Sequence, residues 1–479
     1  MKESLRPILQ ATLSHPGDLP DYGGMDGVYS SDDLLSELAE AEVGEKKPIK
    51  PPPPTVREGK NYVSSTLTLM NFVRSEVGAG ALSLAIAFKQ SGLWTGLILS
   101  PIIGFMNILF GLVLVDCSQY LCQKTGKPAL DYGHLAKKAF DHSNIPFLMR
   151  HSKKALYICN FMVGFYQIGV ASVQYLFITQ NLQSFLEFVH APWIPPLRVM
   201  LTLMLPPFLL VNQVHRLDIL SYFAFAGNIV FIVGFIVVVQ YIVQPPNHIN
   251  SLPAFSSFYG IAVYAGTMLY AYEGQSVILP LENKMRQPRE MGGWTGVLAT
   301  GTVLIGVIFT TVGFFGYSKF GDDAADTITL NLPSTVLYRS VSLLLALAVF
   351  LGWTMQLYVI VEMIWQPITR KIFYSYPAWH SWLERGFRVF LVLVVFSVCM
   401  AIPHLSLLTS ITGVSVGVLI AFVVPPALQM LIYWPEWTRT QRILYSLRNV
   451  TVIVIGMFIC LFGIASSIMA AIDTPIQKR

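Results

Sequence analysis

Eleven stretches of this chain are apolar over roughly the 20 residues that a helix needs to cross about 30 Å of hydrocarbon. They cover residues 66–90, 95–121, 155–180, 196–212, 217–243, 256–281, 293–317, 337–365, 386–402, 405–433 and 449–472, and the fourth and ninth are short. Polar loops separate them. The pattern predicts an all-α polytopic membrane protein with about 11 transmembrane helices over residues 61–479. Residues 1–60 contain no run of helix length and hold four consecutive prolines, Pro51 to Pro54. Such a segment buries too little apolar surface to offset its ordering entropy, so a disordered tail is predicted there.

Composition and charge sharpen the picture. Hydrophobic residues make up 54% of the chain and charged residues only 12%, against about 25% charged in soluble domains. Mean hydropathy is +0.56. An ordinary soluble enzyme is excluded, and a net charge of +5 without a basic stripe excludes a nucleic-acid binder. With a cytoplasmic N-terminus, the loops 122–154, 213–216, 282–292, 366–385 and 434–448 lie inside. Counted to the helix ends, they hold 18 Lys or Arg residues, against six on the opposite side. The positive-inside rule thus predicts a cytoplasmic N-terminus and an extracellular or lumenal C-terminus. In the longest inner loop, Leu135, Ala136, Ala139 and Phe140 share a face opposite Lys137 and Lys138, the pattern of a short amphipathic helix lying on the inner membrane surface. Asp131 and His134 beside it read as a solvated pair. The five cysteines fall inside or at the ends of apolar runs and read as packing residues. No metal-ligand spacing or nucleophile motif occurs, so neither a metal, a cofactor nor an enzymatic activity is expected.

Two of the runs contain helix breakers. In the first, Gly78 and Gly80 flank Ala79; in the sixth, Gly266, Gly274 and Pro280 interrupt the apolar pattern with Glu273 at the break. Close helix packing would explain a Gly-Ala-Gly stretch alone. Placed in spans one and six of eleven, however, the breaks divide the chain into two halves of five. An odd number of spans inverts the second half relative to the first. Interruptions at matching positions of inverted halves are the pattern of a midplane solute site. Main-chain groups freed there, with a half-helix dipole and a carboxylate, suit a small zwitterion. The repeats would run over about 62–243 and 256–433, with an extra helix at about 449–472.

Charges inside the spans are few and costly. Glu273 reads either as a proton carrier, its pKa raised by desolvation, or as a permanently ionised strut. Arg74 and Glu76 precede the first break, and Arg74 reads equally as a partner in a plain ion pair. Tyr270 and Tyr272 line a pocket or fill a core. Asp116, Glu282 and Glu362 sit near inner ends, and the first two are placed within reach of the interface.

The residues Val-Gly-Ala-Gly-Ala-Leu-Ser-Leu-Ala-Ile-Ala-Phe at 77–88, followed by Gly92, resemble the first-span motif of the amino acid/auxin permease family. Asp-Tyr-Gly-His-Leu-Ala-Lys-Lys-Ala-Phe at 131–140 resembles its first inner loop. Tyr-Glu-Gly-Gln-Ser-Val-Ile-Leu-Pro-Leu-Glu-Asn-Lys-Met at 272–285 resembles its sixth-span motif, most closely in the proton-coupled and vacuolar amino acid transporter branches. The likeness spans about 62–472. It implies a leucine-transporter-like 5+5 inverted repeat plus one extra helix, alternating access, amino acid substrates and proton coupling. Carried over by position, the substrate residues are Gly78, Ala79, Gly80 and Ala81, with Tyr272, Glu273 and Gly274 opposite and Tyr270 beside them. Asn71 stands where the proton-coupled branch carries a histidine, and Glu76 stands in place of a polar amide. Glu76 therefore joins Glu273 as a proton-coupling candidate.

The expectation is a secondary active transporter of small neutral amino acids, proton-coupled, in the plasma membrane or a vacuolar or lysosomal membrane. Tyr-Gly-Gly-Met at 22–25 and Asp-Asp-Leu-Leu at 32–35 resemble sorting signals. The alternative is an amino acid-sensing membrane protein that signals through its acidic tail. The expected partners are the amino acid, the proton and the bilayer.

Overall fold

The computed structural model describes residues 57, 62–143, 145–214, 217–245, 247–365 and 380–473. The tail expected over 1–60 lies outside the described residues except for Arg57. Each of the eleven apolar runs falls on a helix or a stack of helices. The first is a stack of three: α1 (Ser65–Glu76), α2 (Ala79–Leu82) and α3 (Leu84–Ser91). Ser64 starts it as an N-cap, its hydroxyl accepting from Leu67 N–H. Next come α4 (Leu93–Thr125), the loop helices α5 (Tyr132–His142) and α6 (Pro146–Arg150), α7 (Ser152–Phe188), α8 (Leu197–Val211) and α9 (Leu217–Val243). The sixth run is α10 (Phe258–Ala271) and α11 (Ile278–Lys284). Beyond it lie α12 (Val297–Phe320), the short α13 (Ile328–Asn331), α14 (Val336–Ile360) and α15 (His380–Ala401). The tenth run is α16 (Leu405–Thr412) and α17 (Val424–Tyr433), and α18 (Arg439–Asp473) is last.

Among the described residues, seven helical stretches are long and apolar enough to cross a membrane. Ile98, Phe161, Ile236 and Leu461 are exposed on outward faces, where hydrocarbon rather than water is the compatible solvent. Among the described residues, extended pairing is limited to one parallel bridge, Val63 to Met285.

Helix 1 (α1–α3) packs on helix 6 (α10–α11) and on helix 7 (α12), helix 2 (α4) on helix 7, and helix 8 (α14) on helix 3 (α7) and on α9. An aromatic core joins α7, α8 and α14: Tyr175 stacks on Phe208 at 4.1 Å, and Phe208 meets Trp353 at 4.6 Å. Both polar tips are satisfied, Trp353 Nε1 donating to Ala171 O at 2.9 Å and Tyr175 Oη to Leu201 O at 2.7 Å.

Between α16 and α17 the chain makes two π turns, Gly413–Gly417 and Leu419–Val423, just before Pro425 and Pro426. The prolines supply no N–H to the preceding turn, and the wider turns accommodate them.

One surface expectation is corrected. The apolar face of α5 packs on α7 and α17 rather than on the bilayer: Tyr132, Leu135, Ala136 and Ala139 are buried, and Tyr132 Oη donates to Ile420 O at 2.7 Å. Asp131 serves as its N-cap, accepting from His134 N–H at 2.7 Å and meeting His134 Nδ1 at 2.8 Å.

Candidate functional site

Val77 and Gly78 separate α1 from α2. Val77 N–H still reaches Val73 O at 3.1 Å, but Gly78 N–H turns back to Glu76 O at 3.0 Å, and Ala81 N–H then bonds Gly78 O at 3.2 Å. Ala79 and Gly80 open α2, where first-turn N–H groups stand outside the helical ladder. In helix 6, α10 is capped by Ser257, whose hydroxyl accepts from Gly260 N–H at 2.9 Å. It ends at Ala271. Tyr272 leaves the helix at φ −81°, ψ 50°, a 3₁₀ turn follows over Glu273–Ser276, and α11 resumes at Ile278.

The two interruptions meet. A β-carbon on Gly80 would lie 3.0 Å from Ala271 Cα and 3.0 Å from the Tyr270 ring. A β-carbon on Gly274 would fall 1.3 Å from Glu76 Oε1 and 2.4 Å from its Cδ. Only glycine at 274 leaves room for that carboxylate. Glu76 is 3% exposed, so its environment of hydrogen bonds and dipoles decides whether it carries a charge or a proton.

Beside this contact is a small void. Glu76, Asn107, Tyr272 and Thr302 are its polar liners, Phe72, Ile278 and Leu298 its apolar walls, and Gly274 its floor. About 10 Å³ of it is open to a water-sized sphere, room for about one molecule. Tyr272 is 4% exposed. Its hydroxyl lies between helices 2 and 7: β-carbons on Gly104 and Gly306 would stand 2.8 and 3.0 Å from Oη. Tyr272 Oη has no hydrogen-bond partner among the described residues. Its ring meets Phe309 edge-on at 5.1 Å.

Of the residues singled out in sequence, Glu76, Gly80, Tyr270, Tyr272 and Gly274 converge here. Ala79 and Ala81 are buried beside them, while the β-carbon direction of Gly78 is open, with nothing within 4 Å. The Glu273 main chain begins the 3₁₀ turn; its side chain, like those of Arg74 and Glu362, lies outside the described residues. Asn107 and Thr302 were missed, although an amide in the middle of the apolar run 95–121 is itself a signal. The placing of Glu282 within reach of the interface is corrected: it is 2% exposed. Arg57 Nη1 donates to the Glu282 carbonyl at 3.1 Å, and Val63 N–H donates to the neighbouring Lys284 carbonyl at 2.9 Å.

Helices apolar enough to span a bilayer, gathered around two interrupted ones, define a polytopic integral membrane protein of all-α class. The model of the family described as transmembrane amino acid transporter protein matches residues 63–469. The chain belongs to this amino acid transporter family. It is 36% identical over 430 residues to "Probable amino acid transporter skat-1" of Caenorhabditis elegans, covering 88% of this chain and 93% of that one. It is 24% identical over 420 residues to "Proton-coupled amino acid transporter-like protein pathetic" of Drosophila melanogaster, covering 87% of each. Among solved structures, the crystal structure of MhsT in complex with L-phenylalanine matches with a TM-score of 0.47 at 11% identity, over 86% of this chain and 100% of that one.

Proposed function

We propose that the chain is a secondary active transporter of small neutral amino acids, coupled to protons, that works by alternating access around the interruptions in helices 1 and 6. The observation that carries the reading is the seating of the buried Glu76 carboxylate on Gly274, where the two interruptions touch. The N–H groups at the start of α2 take the substrate carboxylate, and carbonyls at the end of α10 take its ammonium. Gly78, Ala79, Gly80 and Ala81 form one wall of the site, and Tyr270, Tyr272, Glu273 and Gly274 the other. Glu76 and Glu273 are the proton carriers: a carboxyl group at this junction binds a proton when one side is open and releases it to the other. The Drosophila relative is named as proton-coupled, which supports the coupling. Interruptions in the first and the sixth of the apolar runs support a five-plus-five inverted repeat. The N-terminus is proposed to be cytoplasmic, in a plasma or vacuolar/lysosomal membrane.

The test is uptake of radiolabelled L-alanine into proteoliposomes with and without an inward proton gradient. Wild type is expected to accumulate it only with the gradient, and Glu76→Gln to equilibrate it regardless of gradient. Gradient-driven accumulation that survives in both Glu76→Gln and Glu273→Gln refutes their role as proton carriers, and wild-type accumulation that does not depend on the gradient refutes the coupling. Absence of flux for every small neutral amino acid refutes the function.

A further inference from the structure

We infer that Arg57 is a latch that pins the start of helix 1 to the end of helix 6 and holds that end of the bundle shut. The inference rests on the alternating-access reading above, which requires α1 to part from α11.

Bonds across more than 200 residues carry it. Arg57 Nη1 donates to Glu282 O at 3.1 Å and to Asn283 O at 2.7 Å, and Nη2 donates to Pro128 O. Arg57 N–H also donates to Arg286 O at 2.8 Å. Val63 completes the seam: its N–H donates to Lys284 O at 2.9 Å, and Arg286 N–H donates to Val63 O at 2.9 Å. One guanidinium thereby closes three carbonyls from two elements. Two of them belong to the last turn of α11, where the dipole is negative; Glu282 O also accepts from Met285 N–H at 3.1 Å. A planar fork with several donors suits this task, and a single ammonium does not.

The same turn is tied to the loop after helix 2, with Asn283 Nδ2 donating to Leu130 O at 3.0 Å. At the first residue of α1, the Ser65 hydroxyl bonds Glu290. With the latch closed, α1, α11 and the loop at 128–130 form one unit above the buried Glu282. Releasing Arg57 leaves the main-chain seam, the Ser65 contact and the packing of α1 on α12 and α11 to hold α1 in place. Arg57 is thus a positioning residue: it sets which face of the proposed site is open and touches no substrate.

The experiment compares full-length wild type, Arg57→Lys and Arg57→Ala, by amide hydrogen exchange in nanodiscs and by L-alanine flux in proteoliposomes. Amides in 62–70 and 282–286 are expected to exchange about tenfold faster in Arg57→Ala, with Arg57→Lys between it and wild type and 328–342 unchanged. Apparent affinity for L-alanine is expected to rise from the latch side and fall from the other. A general loss of stability would not split the two sides. Exchange within about twofold of wild type in Arg57→Ala overturns the inference. If Arg57→Ala does not fold, Arg57→Lys decides by the same comparison. Faster exchange in a protein whose wild type moves no amino acid supports the latch and overturns the transport reading.

Discussion

Alanine at position 274 would place its β-carbon 1.3 Å from Glu76 Oε1, 2.4 Å from Cδ and 3.1 Å from the Phe72 ring. Non-bonded carbon atoms pack at about 3.5–4.0 Å, so the carboxylate has to retreat by about 2 Å. The adjoining void offers room for only about one water. Overpacking of this kind costs about 1–3 kcal/mol. Gly274→Ala is therefore expected to destabilise the protein by about 1–3 kcal/mol, and uptake should be lost with it. Reversible unfolding in mixed micelles, run on wild type, Gly274→Ala, Glu76→Ala and the double variant, isolates the cause. Truncating Glu76 clears the space, so the alanine should cost at most about 1 kcal/mol in that background, the ordinary scale of a Gly-to-Ala backbone effect. A cycle additive to within about 0.5 kcal/mol would show that the two sites do not press on each other and would refute the reasoning.

Three further outcomes are expected. Tyr272→Phe removes a buried hydroxyl that has no partner among the described residues; its apparent Tm should be unchanged or raised, and a fall as large as that of Gly274→Ala would contradict this. His142 is held below its ordinary value of 6.5, first by desolvation and then by Lys124, whose Nζ lies 2.9 Å from Nε2. A depressed histidine pKa means that the unfolded chain takes up the proton first, so the stability present above pH ~6.5 should decline as pH falls through that value toward the folded pKa. Melting curves of wild type and His142→Gln check this, and equal slopes through that window would count against it. Asp131→Ala removes the N-cap of α5 and should cost about 1 kcal/mol, read as a Tm drop that Asp131→Asn largely avoids.

The helices were legible because hydrocarbon imposes one coarse requirement, about 20 apolar residues in a row, and the chain meets it plainly. The interruptions were legible because glycine and proline mark them locally. What lay beyond the sequence depends on long-range covering. Glu282 looked free to reach the interface, yet Arg57, 225 positions earlier, is bonded to its turn. The apolar stripe of α5 fits a bilayer surface and a protein groove equally well, and only the packing of α7 and α17 decides between them. Asn107 and Thr302 become neighbours of Glu76 through the pairing of α4 with α12, which no local pattern encodes.

The two π turns of the tenth span change how that segment tolerates length. Each carries one residue more than the α ladder needs, and each residue turns a helix by about 100°. Closing both turns into a continuous α-helix without removing a residue would rotate everything after Val423 by about 200°. Leu428 and Ile432, now buried, would swing toward lipid, and the seats they vacate against the bundle would stand empty. The surplus residues thus act as a phase correction, setting the compass bearing of α17 independently of the half that carries Gly413.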